Sequence, residues 1–201
     1  MQSVGDLNKH KLGATFCSNT FGHFIIFKEF ENLLSPNSKV LWTSSTSADK
    51  EKFNRDDYQA IHTRYSYESS KRLVDLIALG NSVKYNQSTP VYTTSPGCVA
   101  SNILQGLIPL WLHIFVLLVM RVFFGIKEIN LEKSNSCSAL MYLINSDKIN
   151  NQELKYLSGS SRLGKGFVYL EHIEEKERDE AVKTLNLMEE LYFEQKKHLN
   201  Q

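Results

Sequence analysis

The sequence predicts an α/β protein whose sheet is built on parallel strands. Three observations predict it. Helical and short β-prone apolar segments alternate along the chain in the order helix, strand, helix, strand, helix. Pro, Gly, Ser and Asn punctuate the joints, as at Ser35-Pro36-Asn37 and Pro96-Gly97. The 201 residues are 42% apolar and 22% charged, which is ordinary usage for a domain that can bury a core. Lys and Arg number 23 against 22 Asp and Glu, a net charge of +1, so no nucleic-acid partner held by bulk positive charge is expected. Cys17, Cys98 and Cys137 are odd in number and far apart, so neither a disulfide framework nor a metal site is expected.

Each element follows from its own pattern. Residues 1–15 hold neither a signal-peptide apolar run nor any period, and read as loop. Phe21, Phe24 and Ile25, then Phe30, Leu33 and Leu34, sit at helical spacing until Ser35-Pro36-Asn37 stops them. Lys39 to Thr43 is short, apolar and β-prone, a buried strand. Ser44 to Arg64 is polar, a loop with one short helix. Tyr67 to Leu79 returns to helical spacing, with Gly80-Asn81 expected to end it. Pro90 to Ser95 is a second strand. Cys137 to Asn145 reads as a buried helix, Gly159 to Gly166 as a loop and Phe167 to Leu170 as a last strand. Residues 171–201 carry nine acids against five bases, with Ala181, Leu185, Met188 and Tyr192 on one face: a charged, amphipathic C-terminal helix.

The chemistry concentrates between Leu41 and Ser101. Tyr67-Glu68-Ser69-Ser70-Lys71 places a phenol and an ammonium one helical turn apart. An ammonium beside a phenol favours the phenolate, which suits a general acid. Alone, that spacing is a weak signal and reads first as a surface pair on a helix. Here it follows a strand running into Thr43-Ser44-Ser45-Thr46-Ser47-Ala48, and it precedes Pro96-Gly97-Cys98-Val99-Ala100-Ser101. Asn19, in Asn19-Thr20-Phe21-Gly22-His23, lies upstream on the first helix, where a helix N-cap is the alternative reading.

This ordered set resembles the short-chain dehydrogenase/reductase family. More narrowly, Leu41 to Ser45, Tyr67 to Lys71, Asn19 to Phe24 and Lys155-Tyr156-Leu157-Ser158 are similar to the 3-keto-steroid reductases of sterol C4-demethylation. The resemblance implies NADPH-dependent reduction of a 3-keto sterol to the 3-hydroxy form, without a metal. It implies Asn19, Ser45, Tyr67 and Lys71 as catalytic residues, with Ser44 and Ser47 as rivals of Ser45. By the same implication Tyr67 would be the proton donor, Lys71 would lower the Tyr67 pKa and bind the nicotinamide ribose, Ser45 would hold the substrate oxygen, and Asn19 would hold a water. Tyr67, Lys71, Pro96, Gly97, Val99 and Ser101 would frame the cofactor. The fold implied is the C-terminal part of a Rossmann-like, doubly wound parallel sheet. Residues 16–170 form the partial catalytic domain, between the loop at 1–15 and the helix at 171–201.

A dinucleotide fold needs a Gly-rich turn at a helix N-terminus to cradle pyrophosphate. No G-x-G-x-x-G occurs in the sequence. The expectation is therefore a chain with the reacting groups of a reductase but without its pyrophosphate cradle, inactive or weakly binding when alone.

The twenty residues Leu107 to Ile126 hold only His113 and Arg121 as polar side chains. Three readings stand: a membrane span, a helix lying in the lipid interface, or a buried lid over the substrate. Arg121 disfavours a span but can snorkel. The implied setting is the cytoplasmic face of the endoplasmic reticulum membrane or a lipid-droplet surface, beside other enzymes of sterol C4-demethylation. The second functional reading is a non-catalytic membrane-associated interaction protein, a pseudoenzyme that keeps the scaffold. A plain single-pass membrane protein leaves the ordered motifs unexplained.

Overall fold

The computed structural model describes residues 4–35, 37–85, 89–99, 109–147, 150–172 and 177–199. Its main sheet has four strands: β1 (Val40–Thr43), β2 (Val91–Ser95), β5 (Leu154–Ser160) and β6 (Gly166–His172), in the spatial order β1-β2-β5-β6. The first three are parallel, and β6 returns antiparallel to β5. A separate parallel pair, β3 (Cys98–Val99) and β4 (Ile129–Asn130), follows the Pro96-Gly97 turn. The two-residue period of a strand divides the core between two faces. Trp42 and Val91 face one helical layer, while Leu41 and Tyr92 face another.

The helices follow in chain order. Three helical segments in direct succession, Ala14–Phe16, a π-helical turn at Cys17–Phe21, and Gly22–Phe30, together form α1. α2 (Ser66–Tyr85) is the longest of the early helices, α3 (Leu110–Val122) holds the apolar stretch, and α4 (Ser138–Asn145) is short. α5 (Arg178–Leu199) lies against α2. On the Trp42 side α1, α2 and α5 share one core, with Phe16, Phe24, Leu73, Ile77, Leu185 and Met188 at its centre. On the Tyr92 side α4 contributes Ala139 and Leu143 against Leu154 and Tyr156. The expected α/β class with parallel pairing is present, and it is the mixed sheet that β6 makes it.

The structure corrects several local readings. Gly80-Asn81 does not end α2, which continues to Tyr85. Gly80 is instead the crossing point of two helices: a Cβ there would lie 2.6 Å from the Ala181 carbonyl oxygen of α5. The glycine serves close approach rather than a C-cap. The expected loop from Gly159 to Gly166 shrinks to residues 161–165, because Gly159 and Ser160 belong to β5. A strand at Leu154–Ser160 had no place in the sequence reading, since its Lys155, Ser158 and Ser160 break the apolar run. α4 is not buried all round: Met141, Tyr142 and Ile144 are exposed. The polar stretch Ser44 to Arg64 holds two 3-10 turns, Lys50–Lys52 and Arg55–Asp57, each capped by the preceding Asp49 or Asn54 side chain. The expected loop before Phe16 already contains the buried Leu12 and the first helical turn.

The apolar stretch folds as a helix of 13 residues, roughly 20 Å at 1.5 Å per residue. It ends before Gly125, whose φ of +67° turns the chain away. Among the described residues no helix is long and apolar enough to cross a membrane. That removes the membrane-span reading for the described part of the stretch. Residues 107 and 108 lie outside the described residues.

Gly80→Ala should destabilise the chain although it raises helix propensity. Propensity favours Ala by about 1 kcal/mol, while overpacking against backbone that cannot retreat typically costs about 1–3 kcal/mol or more. A net loss of about 1–2 kcal/mol in urea unfolding is expected.

Candidate active site

Parallel pairing brings the carboxyl ends of β1, β2 and β5 to one edge of the sheet. Ser44 and Ser45 leave β1 there, and Pro96-Gly97 leaves β2 beside them. The N-terminal half of α2 crosses the same edge. The Lys71 ammonium donates to the carbonyl of Thr43, the last residue of β1, at 3.0 Å. In return the buried Ser44 hydroxyl donates to the Lys71 carbonyl at 3.2 Å. Strand end and helix are thus tied in both directions.

Ser44 is committed to this tie, and its hydroxyl is taken. Ser45 is half-buried, and its Oγ accepts the Ser47 N–H at 3.0 Å. That leaves the Ser45 hydroxyl proton for another acceptor. Ser47 is exposed. Tyr67 is 45% exposed, and its ring centroid lies 5.9 Å from the Lys71 Nζ. The ammonium therefore sits by the phenol ring, but its hydrogen bond goes to the Thr43 carbonyl.

Asn19 lies in the π-helical turn of α1, not at a helix N-terminus, so the N-cap alternative does not hold. π-turns cost helical regularity and recur at functional sites. Here the turn delivers the Asn19 amide to Ser70 of α2: Nδ2 donates to Ser70 Oγ at 3.0 Å, and that hydroxyl donates to the Tyr67 carbonyl at 2.7 Å. The neighbouring Thr20 hydroxyl donates to the Ser70 carbonyl at 3.1 Å. Asn19 and Lys71 line one open groove of about 370 Å³ with Phe27, Phe30, Trp42 and Thr43. That groove runs along the outer edge of β1, with which no other strand pairs among the described residues.

Burial holds the Lys71 ammonium below the ordinary lysine range. The Asp75 carboxylate, one turn further along α2, works against this, and the Lys155 charge adds to it.

The Pro96-Gly97 turn is fixed by Asn130, a residue the sequence reading did not single out. Its Nδ2 donates to the carbonyls of Pro96 at 2.7 Å and Ser158 at 3.1 Å, and its Oδ1 accepts from Ser160 at 2.6 Å. Asn130 is fully buried. Gly97 has φ +71°, and a Cβ there would meet the Glu128 carbonyl, the Asn130 amide and the Ser158 carbonyl. The protein's own packing accounts for this glycine. Val99 is half-buried in β3, and Ser101 lies outside the described residues.

Asp75 was also missed, and Lys155, quoted for the resemblance, was given no role. Both are almost fully buried and form an ion pair at 2.9 Å behind the Ser45 turn. The available signal was Asp75 at the same four-residue spacing that links Tyr67 and Lys71. Asn130 offers no comparable signal.

No protein-family model matches the chain. Curated relatives do. The chain is 32% identical over 164 residues to the human 3-keto-steroid reductase/17-beta-hydroxysteroid dehydrogenase 7, covering 78% of this chain and 48% of the relative. Its counterpart in Rattus norvegicus is 34% identical over 161 residues, 76% of this chain and 48% of the relative. A 3-keto-steroid reductase of Candida glabrata is 31% identical over 178 residues, 83% and 50% respectively. The chain spans about half the length of the curated relatives it matches. Over most of its own length it is similar to 3-keto-steroid reductases, as its motifs indicated.

Asn130→Ala should remove the donor from the buried Ser158 carbonyl and the partly buried Pro96 carbonyl, and the acceptor from the Ser160 hydroxyl proton. Unsatisfied buried polar groups cost about 1–3 kcal/mol each and are not additive. Urea unfolding should show a loss of about 2–4 kcal/mol.

Proposed function

We propose that this chain carries the carbonyl-reducing part of an NADPH-dependent 3-keto-sterol reductase of sterol biosynthesis. What carries the reading is the grouping of Asn19, Ser45, Tyr67 and Lys71 around the carboxyl end of β1, in a chain similar to 3-keto-steroid reductases. On this reading the sheet is part of a doubly wound, Rossmann-like sheet, and the open edge of β1 is where it continues.

The residues present fit the nicotinamide end of such a cofactor. The Lys71 ammonium lines an open groove with the Tyr67 ring beside it, both being donors for ribose hydroxyls. The sequence has no Gly-rich turn for the pyrophosphate. When bound there, a nicotinamide would supply the hydride for the ketone carbon. Tyr67 gives its phenolic proton to the ketone oxygen, so the C=O π bond is replaced by one C–H and one O–H bond. The Lys71 charge stabilises the phenolate left behind. Ser45, its Oγ already accepting from Ser47, donates its hydroxyl proton to the developing oxyanion. Asn19, braced on Ser70, positions a water between Lys71 and bulk solvent.

We place this chemistry at a lipid surface, the cytoplasmic face of the endoplasmic reticulum or a lipid droplet. The support is the inside-out polarity of α3. His113, Leu117 and Arg121, spaced four apart, are buried, whereas Trp111, Phe115, Phe123 and Phe124 on and just after the helix are 57–75% exposed. Arg121 does not snorkel outward: it pairs with Glu132 at 2.9 Å. A helix that turns its polar residues inward and its aromatic residues outward suits an interface with lipid, where it also covers an entering sterol.

Two measurements test these readings. The first grafts residues 16–170 onto the N-terminal half of the human relative and supplies NADPH and a 3-keto sterol in detergent. Product analysis should show the 3-hydroxy sterol, and Tyr67→Phe should lower turnover by about 10²–10⁴-fold. A graft that binds NADPH yet reduces equally well with Phe at that position excludes the mechanism. The second adds phosphatidylcholine/phosphatidylserine vesicles to the chain. Trp42 is buried and Trp111 exposed, so a blue shift of tryptophan emission reports Trp111 entering lipid. The shift should vanish in Trp111→Phe. Vesicle binding should weaken in Phe123→Ser/Phe124→Ser, and emission unmoved by vesicles excludes lipid docking.

A further inference from the structure

The pair Asp75–Lys155 has no evident reason to be buried for stability. Both side chains are 4% exposed, and a buried ion pair seldom outweighs its desolvation. One carboxylate oxygen of Asp75 accepts from Lys155, while its Oδ1 is buried with no hydrogen-bond partner among the described residues. An unsatisfied buried carboxylate oxygen is costly.

The placement of the pair points to its use. Tyr67, Lys71 and Asp75 recur every four residues along one face of α2. Lys155 lies on the central strand β5. Its neighbours Leu154 and Tyr156 belong to the opposite core, so Lys155 faces α2. Its ammonium makes two bonds, one to Asp75 and one to the Ser45 carbonyl at 2.7 Å. That same carbonyl accepts the Ala48 N–H at 3.2 Å. One buried cation therefore holds the main chain of the Ser45 turn and the carboxylate beside Lys71.

We infer that Asp75 and Lys155 are positioning residues of the carbonyl-reducing site: the pair fixes the Ser45 turn and sets two opposing charges behind the Lys71 ammonium. The inference rests on the reductase reading for its purpose but not for its measurement. The charged groups around the pair are known. Asp49, Lys50, Arg72, Glu171, His172 and Glu177 line the cavity on its outer side. From α1, His23 shares the groove with Lys71. Arg72 and Lys50 both pair with Glu177, at 2.6 and 2.8 Å, so these three charges answer one another.

The test uses the full chain with its lysines reductively ¹³C-methylated, and follows the Lys71 resonance against pH. Asp75→Asn removes the carboxylate that favours the ammonium, so the Lys71 midpoint should fall by about half a pH unit or more. Lys155→Met removes the opposing cation, so the midpoint should rise. It also frees the Ser45 carbonyl, so amide hydrogen exchange at Ala48 should quicken severalfold. Asp75→Asn/Lys155→Met replaces the pair by neutral groups of similar volume and should lie between the single variants. It carries the test if either single variant fails to fold. A pair with only a structural role would lower the melting temperature and leave the Lys71 midpoint and the Ala48 exchange unchanged, which would overturn the inference. If the midpoints move as stated while the grafted enzyme reduces no ketone, the reductase reading fails and the positioning stands.

Discussion

The close crossing of α2 and α5 at Gly80 is the constraint on which the site depends. With no side chain at that point, the α5 backbone at Ala181 settles onto α2, and Leu76, Leu79 and Ala181 close over the contact. On its other side α2 lies against α1 and the sheet through Leu73, Val74 and Ile77. A helix enclosed in this way cannot rotate or slide by a fraction of a turn without opening a cavity or a clash. Its register therefore fixes where Tyr67, Lys71 and Asp75 stand against the end of β1. The same enclosure buries polar side chains, which find partners on α2 itself or across the fold: Asn81 donates to the Ile77 carbonyl, Arg72 pairs with Glu177, and Asp75 with Lys155.

Much of this was legible in the sequence because it was written in short-range patterns. The spacing of Phe21, Phe24 and Ile25, the β-prone Lys39 to Thr43 and Pro90 to Ser95, and the four-residue step from Tyr67 to Lys71 each have a direct structural outcome. What escaped depends on partners far away in the chain. Gly80 reads as a helix stop until Ala181, a hundred residues later, is seen against it. Lys155, Ser158 and Ser160 make β5 look too polar for a central strand. Each is answered at long range: by Asp75 and the Ser45 carbonyl, by the Ala139 N–H, and by Asn130. Asn130 gave no local sign of pinning the Pro96 turn, since both carbonyls it serves lie about thirty residues from it.

The two faces of the site region differ in kind. Behind it, the Ser45 turn and the Pro96-Gly97 turn are held by buried polar groups whose bonds are directional. In front, the groove along β1 is open and lined mainly by apolar side chains. Directional bonds hold atoms to within tenths of an ångström, whereas apolar surface accepts many shapes. On the proposed reading, a rigid polar floor under a permissive apolar approach suits a substrate that is almost all hydrocarbon and presents one oxygen to be recognised.

The π-turn at Cys17–Phe21 gives the first helix a property of its own. One additional residue per turn shifts the phase of everything after it by about 100° relative to a regular helix. Phe16 before the turn and Phe24 after it nonetheless both end in the same core, with Asn19 between them reaching Ser70. The segment thus counts its residues. Loss of a single amino acid there would let the backbone relax to ordinary pitch and swing the later aromatic residues out of the interior. Changes of length are thereby barred from a stretch whose side chains already have fixed partners in Ser70 and the core.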